Sequence, residues 1–258
     1  FVGGINIIDD LNMPEPRHPR FDYAVCVRGP LLARIHTAMT ELWARLHQHG
    51  LERLRAMMAA FPPVAEPAGD HHAWFAFRDN VSHRRDIERE YLAAILSARS
   101  DILIANAYFF PGYRFRHALI DAAQRGVRVK LILQGRTDHP FMKNASALLY
   151  RDFLKAGIVI VEYHKQMLHA KVAVIDGRWC TVGSCNLELF SMFLSLEANI
   201  VMEDEKISEK LEHKLERAVQ DGGIQIDSLR RLSRSPWDWF ISWMSLVALR
   251  LIRFLSGV

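Results

Sequence analysis

The spacing of hydrophobic positions changes repeatedly along the chain between the period of a helix and that of a strand. Apolar residues recur at helical spacing in residues 31–46, 87–98, 115–125, 146–154 and 205–219. Short apolar or alternating runs predict strands at residues 21–27, 101–107, 127–134, 158–163, 168–175, 180–182 and 196–202. Because helices alternate with strands, the sequence predicts an α/β fold, with a mixed β-sheet sandwiched by helices on both faces.

A proline-rich segment divides this pattern into two units. Residues 61–69 contain three prolines and one glycine, which is typical of a linker or a surface loop. We therefore predict four regions along the chain. They are an incomplete first half at 1–60, a linker at 61–73, a complete second domain at 74–222 and a C-terminal tail at 223–258.

A repeat relates the two units. Val2-Gly-Gly-Ile-Asn6 lies 180 positions before Val182-Gly-Ser-Cys-Asn186. Each copy is followed by a strand that carries an acid, at residues 22–27 and 197–202, and then by an amphipathic helix. The position that corresponds to His169 of the second copy would lie upstream of the first residue. The sequence therefore predicts two repeated halves, of which the first is incomplete in an N-terminally truncated chain.

Composition narrows the classes of protein. Apolar residues make up 50% and charged residues 24% of the 258 residues, which excludes intrinsic disorder and a coiled coil. Three cysteines without a Cys-x-x-Cys pair support neither a disulfide framework nor a zinc knuckle, and they favour a reducing, cytosolic environment. A net charge of +4 and a sequence pI near 9.1 permit an anionic partner.

The second copy carries groups that suit chemistry on a phosphodiester. His169 and Lys171 lie two positions apart on a predicted strand, so both side chains project from the same face. A polar turn follows at Gly183-Ser184-Cys185-Asn186, and its amide, hydroxyl and backbone donors suit phosphate oxygens. This combination predicts an anion site that contains a nucleophile.

Three further assignments complete the predicted site. An imidazole can attack phosphorus when a carboxylate holds its other ring nitrogen, and Glu197 is the candidate carboxylate. Lys171 and Asn186 are expected to offset the charge that grows on the phosphate oxygens, and no metal is needed. Asp176 belongs to the same motif, but Asp176-Gly177 also suits a hairpin turn, so a structural role and a catalytic role both stay open.

The order of these residues resembles the signature of a known superfamily. His169-x-Lys171-x4-Asp176 followed by Gly183-Ser-x-Asn186 is similar to the signature of the phospholipase D superfamily, and the half-repeat that ends at Asn6 resembles the tail of the first such motif. Four further stretches are similar to bacterial cardiolipin synthases of the B type. These are residues 77–84, 104–112, 126–135 and 195–199.

The resemblance implies a phospholipase D-like fold of two halves and a two-step phosphatidyl transfer. One histidine forms a phosphohistidine intermediate and the histidine of the other half serves as acid and then as base, and which role His169 takes stays open. Phosphatidylglycerol is the implied donor, and a second lipid accepts the phosphatidyl group. The missing N-terminal half is implied to supply the second histidine. The residues implied to bind the substrate phosphate are Lys171, Ser184, Asn186 and Asn6.

The same resemblance implies the partners and the location. An anionic phospholipid and a membrane surface are the expected partners, with no metal, no cofactor and no nucleic acid. The expected location is the cytosolic side of the bacterial inner membrane, as a peripheral protein. The alternative function is that of a phospholipase D-type phosphodiesterase or a nuclease, in which two single-motif chains pair so that their histidines face each other.

The C-terminal tail is the candidate membrane contact. Residues 237–258 hold three tryptophans, and their uncharged run at 239–249 is 11 residues long. A helix needs about 20 apolar residues to cross a bilayer. Basic residues precede the tryptophans, which favours a helix that lies in the lipid interface. A helix that packs on the protein's own core is the alternative interpretation.

Overall fold

The computed structural model describes residues 1–7, 19–46, 56, 59, 66–136, 149–188, 191–192 and 194–226. The helices are α1 (Leu31–Leu46), α2 (Asp86–Ser97), α3 (Tyr113–Gln124) and α4 (Glu205–Gly222), and residues 149–155 are also helical. The strands of the first part are β1 (Val2–Gly3), β2 (Ala24–Val25), β3 (His72–Arg78), β4 (Asp101–Asn106), β5 (Phe109–Phe110) and β6 (Arg128–Gln134). The later strands are β7 (Val159–Tyr163), β8 (Lys171–Ile175), β9 (Trp179–Gly183), β10 (Leu187–Glu188), β11 (Glu197–Glu203) and β12 (Gly223–Gln225).

Eight of these strands form one mixed sheet in the order β12-β7-β6-β4-β8-β9-β11-β3. The central strands β4, β6 and β7 run parallel, whereas β8, β9, β11 and β3 pair antiparallel with their neighbours. Two short pairs lie outside this sheet, β1 with β2 and β5 with β10. The mixed α/β sheet predicted from the sequence is confirmed.

Two apolar cores lie on the two faces of this sheet. Successive side chains of a strand point to opposite faces, and on β8 Val172 and Val174 enter one core while Ala173 and Ile175 enter the other. Helices α2 and α3 bury their apolar faces in the core that contains Ile175, and α1 and α4 pack on the opposite side. A strand covered on both faces must be apolar throughout, as β8 is after its first residue.

The segment predicted as a strand at 21–27 forms only the short strand β2, because its first residues pair with a different part of the chain. The Phe21 N–H donates to the Met167 carbonyl at 2.9 Å, and the His169 N–H donates to the Phe21 carbonyl at 2.8 Å. Leu168 forms this parallel bridge with Phe21, and β8 begins at Lys171 and not at residue 168 as predicted. The bridge places the first half of the chain directly against the second.

The remaining predicted helices and strands are present where the structure describes them, with ends shifted by a few residues. The helix predicted at 146–154 is described only from residue 149. Strand β3 begins at His72, inside the segment predicted as a linker at 61–73, and it pairs with β11 at the edge of the sheet. The division into four regions stays a prediction, and residues 227–258 of the tail lie outside the described residues. None of the described helices combines the length and the apolar character needed to cross a bilayer.

Candidate active site

A histidine from the second half of the chain and an aspartate from the first half form a hydrogen-bonded pair. His169 lies just before β8, and the bridge at Phe21 places Asp22 beside it. The imidazole Nδ1 is 2.6 Å from Asp22 Oδ2. Only 14% of the His169 side chain and 6% of the Asp22 side chain are exposed, so water competes little for this contact. The carboxylate therefore fixes the orientation of the ring.

A glycine makes room for this carboxylate. Gly4 follows β1, which pairs antiparallel with β2 just beyond Asp22. A Cβ atom on Gly4 would lie 2.8 Å from Asp22 Oδ2 and 3.0 Å from Lys171 Cδ. Real Cβ atoms do not approach polar atoms so closely, so the backbone at this point needs a residue without a side chain. Gly4 of the half-repeat is therefore part of the wall of the site.

Lys171 supplies a buried cation next to the pair. The residue is only 2% exposed, and its ammonium donates to the His169 carbonyl. Burial lowers the pKa of Lys171 to about 8. The negative charges of Asp22 and Glu197 raise this pKa, but their effect is smaller than that of burial. At neutral pH the ammonium is therefore mostly charged in a place that hydrates it poorly. An anionic phosphate oxygen would stabilise it.

Glu197 lies at the first position of β11 and is held by a serine. The Ser184 hydroxyl donates to the Glu197 carboxylate and accepts from the Ala198 N–H at 3.1 Å. Burial raises the pKa of Glu197, although the Ser184 hydroxyl and the charge of Lys171 act in the opposite direction. Glu197 is therefore a partly buried carboxylate that accepts a proton more readily than an exposed one and can accept a hydrogen bond.

The sequence predicted that Glu197 would hold the imidazole of His169, and this pairing is wrong. The structure places Asp22 there, because the parallel bridge sets residues 20–22 alongside residues 167–169. Asp22 and Glu197 follow the two copies of the repeat at corresponding places. That correspondence was the signal for a pairing between halves, but a pattern within one copy favours a partner from the same copy.

Three of the residues predicted to bind phosphate differ in their exposure and in their hydrogen-bond partners. The Ser184 hydroxyl is used by Glu197, and its N–H donates to the Ala198 carbonyl at 2.9 Å. Ser184 therefore positions the acid, and its phosphate contact stays a prediction. Asn186 is half-buried, and its amide oxygen has no hydrogen-bond partner among the described residues. Asn6 is exposed, so the phosphate contacts of Asn186 and Asn6 stay predictions.

Asn106 was missed by the sequence reasoning. It ends β4, is fully buried, and lies opposite Lys171 in the register of β4 with β8. Its amide oxygen accepts the N–H of Leu187 at 3.1 Å, which anchors the turn that carries Asn186. A buried amide at the end of an apolar strand requires a hydrogen-bond partner. The polar residue that closes the run 101–106 was the signal in the sequence.

Asp176 lies at the opposite end of β8 from the site, five residues and thus roughly 16 Å beyond Lys171. Its carboxylate accepts the N–H groups of Arg99, Ser100 and Asp101 at 2.8 to 3.0 Å. Partial burial raises the pKa of Asp176, but these backbone hydrogen bonds outweigh it and leave the pKa below its ordinary value. Of the two roles left open for Asp176, these contacts favour the structural one, since the carboxylate joins β8 to the turn before β4.

Comparison with known proteins identifies the family. Residues 91–219, half of the chain, match the family model described as cardiolipin synthase, PLD-like domain. The chain belongs to this family. It is 38% identical to cardiolipin synthase B of Salmonella typhi over 248 residues and 37% identical to cardiolipin synthase B of Escherichia coli strain K12. Both alignments cover 92% of this chain and 57% of the relative, so the chain spans little more than half the length of these cardiolipin synthases.

Solved structures agree on the phospholipase D-like fold. The crystal structure of Nuc from Salmonella typhimurium, a phospholipase D family member, gives a TM-score of 0.51 at 25% identity and covers 62% of this chain and 100% of that one. Phosphatidylserine synthase from Haemophilus influenzae Rd KW20 gives a TM-score of 0.59 at 11% identity, over 78% of this chain and 52% of that one. The fold and the family inferred from the sequence motifs are confirmed.

Proposed function

We propose that this chain is part of a cardiolipin synthase that transfers a phosphatidyl group from phosphatidylglycerol to a second lipid through a phosphohistidine intermediate. The observation that carries the proposal is the buried pair of His169 and Asp22 beside the ammonium of Lys171. A nucleophile or acid–base group, its orienting carboxylate and a cation for phosphate oxygens meet in one place. The similarity to cardiolipin synthases of the B type supports the choice of reaction.

The His169–Asp22 contact determines which nitrogen reacts. When the Nδ1–H donates to the carboxylate, Nε2 carries the lone pair and is the nitrogen offered to the substrate. As nucleophile, Nε2 would form a bond to phosphorus while the bond from phosphorus to the glycerol oxygen breaks. As acid and base, the same nitrogen would protonate that leaving oxygen and later accept the proton of the attacking hydroxyl. Asp22 favours either role because it stabilises the imidazolium.

The second imidazole of the proposed reaction comes from the missing N-terminal half. Asp22 of the first copy holds His169 of the second copy. By the symmetry of the repeat, Glu197 of the second copy would hold the histidine of the first. Glu197, held by Ser184, would then orient the histidine of the first half, and not His169 as was expected from the sequence.

The second step completes the exchange with a second phosphatidylglycerol. Its terminal glycerol hydroxyl attacks phosphorus, the bond from phosphorus to the imidazole breaks, and the general base takes the hydroxyl proton. The products are cardiolipin and glycerol. We further propose that the protein works as a peripheral protein at the cytosolic side of the bacterial inner membrane, where its lipid substrates lie, with the tail at 223–258 as its contact.

The test uses the longer polypeptide that joins this chain to its missing half. Labelled phosphatidylglycerol in mixed micelles should yield cardiolipin and glycerol, and His169→Ala should abolish both products. The matched control is His213→Ala on α4, whose ring is 76% exposed. Release of phosphatidic acid without cardiolipin would assign a phosphodiesterase instead, and cleavage of DNA without lipid turnover would assign the nuclease alternative.

A further inference from the structure

A cavity of about 480 Å³ has Asp22, the hydrogen-bond partner of His169, in its wall. Its walls come from the segment 21–24, the connection after β7 and the last turns of α4. We propose that this cavity binds the phosphate of a second phospholipid, separate from the phosphodiester that reacts at His169. The residues that carry the proposal are Asp22, Tyr23, Tyr163, Lys165, Lys214 and Arg217.

The charges of the lining favour an anion. Lys165, Lys214 and Arg217 contribute three cations, and Asp22 and Asp221 contribute two acids. Both acids are already engaged, since Asp22 holds His169 and Asp221 lies 3.4 Å from the ammonium of Lys165. Within the described part of the chain, Lys214 and Arg217 form no ion pair with an acid. A phosphate between these two side chains would receive charge-assisted hydrogen bonds from both.

Two tyrosines lie in the same wall. Tyr23 and Tyr163 both line the cavity, and the Tyr23 hydroxyl has no hydrogen-bond partner among the described residues. Burial, and to a lesser extent the neighbouring Tyr163, raises the pKa of Tyr23 to about 12, so this hydroxyl keeps its proton at physiological pH. A donor that lacks an acceptor costs free energy until one is supplied. A headgroup oxygen is an acceptor of the required kind.

The assignment to a phospholipid rests on the proposed function. Transfer between two lipids requires a second headgroup next to the reacting phosphorus, and Asp22 belongs to both the catalytic pair and the cavity wall. The cavity is therefore the acceptor subsite, which holds the acceptor by its phosphate. Inorganic phosphate presents the same chemistry without the glycerol and acyl groups, so the two sources are compared directly in the test.

Binding is measured by titration calorimetry on the His169→Ala protein, which cannot turn over lipid. The ligands are monodisperse dihexanoyl phosphatidylglycerol and inorganic phosphate, with a short DNA duplex as a third arm. The double variant K214Q/R217Q should bind the lipid about tenfold more weakly or worse, and Tyr23→Phe should weaken it less. The matched control K206Q/K210Q removes the same charge from exposed positions of the same helix and should bind as before.

Each outcome decides the proposal. Equal losses in K214Q/R217Q and in the control, or no loss in either, would overturn the site. Inorganic phosphate or DNA that binds better than the lipid would overturn the lipid assignment. Because no turnover is needed, loss of binding confined to the cavity variant supports the site even if cardiolipin is never formed, so failure of the site and failure of the proposed function are distinguished.

Discussion

Asp22 and His169 are separated by 147 positions in the chain, yet the imidazole Nδ1 lies 2.6 Å from the carboxylate, one of the shortest such contacts among the described residues. The contact crosses from the first half of the repeat to the second. Neither half therefore contains a finished site by itself. The proposed reaction at His169 would depend on the residues around Gly4 and Asp22, although these lie outside the stretch at 91–219 that matches the family model.

Replacement of Asp22 by Asn should disable the site while leaving the fold intact. An amide can present its N–H to the ring, which favours the wrong tautomer, and it does not stabilise an imidazolium. We expect kcat for cardiolipin formation in the full-length protein to fall roughly 100- to 10,000-fold, with little change in melting temperature. Asp121→Asn on the exposed side of α3 is the matched control. Turnover within about twofold of the parent protein would contradict the role of Asp22.

Gly4→Ala should damage both stability and activity. The new Cβ would press against the Asp22 carboxylate and the stem of Lys171, so these side chains must shift. We expect a loss of about 1–3 kcal/mol in the free energy of unfolding, together with a large loss of kcat. At Gly112 a Cβ would meet nothing within 4 Å, so Gly112→Ala serves as the control in urea unfolding and in turnover assays. Equal effects of the two substitutions would argue against the close approach at Gly4.

The charge of Lys171 should give the reaction an alkaline limit near pH 8. Burial lowers the pKa of Lys171 to about 8, so kcat/KM, which reports the free protein, should decline as the pH rises through that value and the site loses its cation for the phosphate. Lys171→Arg, which stays charged, should remove this limit even if its maximal rate is lower. A kcat/KM profile that stays flat between pH 7 and 9.5 in the parent protein would disprove the assignment.

The lowered pKa of Lys171 has the opposite effect on stability, which should rise with pH where activity falls. Between about pH 8 and 10.5 the unfolded chain holds a proton on Lys171 that the folded protein has released. Stability contributed by this residue therefore rises with pH across that window, because the cost of a buried charge disappears. Urea unfolding of the parent protein and of Lys171→Met at pH 7 and pH 9.5 should show the parent gaining relative to the variant. A relative loss would contradict the buried, charged state at neutral pH.

Asp176→Asn separates the structural part of the motif from its chemistry. The substitution weakens the acceptor for three backbone N–H groups, and we expect a loss of about 1–3 kcal/mol in stability with kcat nearly unchanged. Since the pKa of Asp176 is lowered in the folded protein, its contribution is present above the unfolded pKa and disappears as the pH falls through the folded value. The stability gap between parent and variant should therefore narrow in acid.

Much of this could be read from the sequence because periodicity and motif spacing are local. The apolar run of β8 and the alternation that pairs His169 with Lys171 both follow from the geometry of a single strand. The repeat predicted that an acid follows each glycine turn. It did not say which histidine each acid serves, because the bridge between Phe21 and Leu168 joins segments far apart in the chain. For the same reason the sequence did not predict the hydrogen bond of Asn106 with Leu187 or that of the Ser184 hydroxyl with Glu197, since each joins separate segments of the chain.

The state of the His169 ring tests the central claim most directly, and it can be measured on this chain alone. In protein labelled with ¹⁵N-histidine, the chemical shifts of the two ring nitrogens report which one carries the proton. In the neutral ring, the pairing with Asp22 predicts a protonated Nδ1 and an unprotonated Nε2 for His169, and Asp22→Asn should change this pattern. A neutral ring protonated at Nε2 alone, or one that is indifferent to Asp22→Asn, would contradict the account.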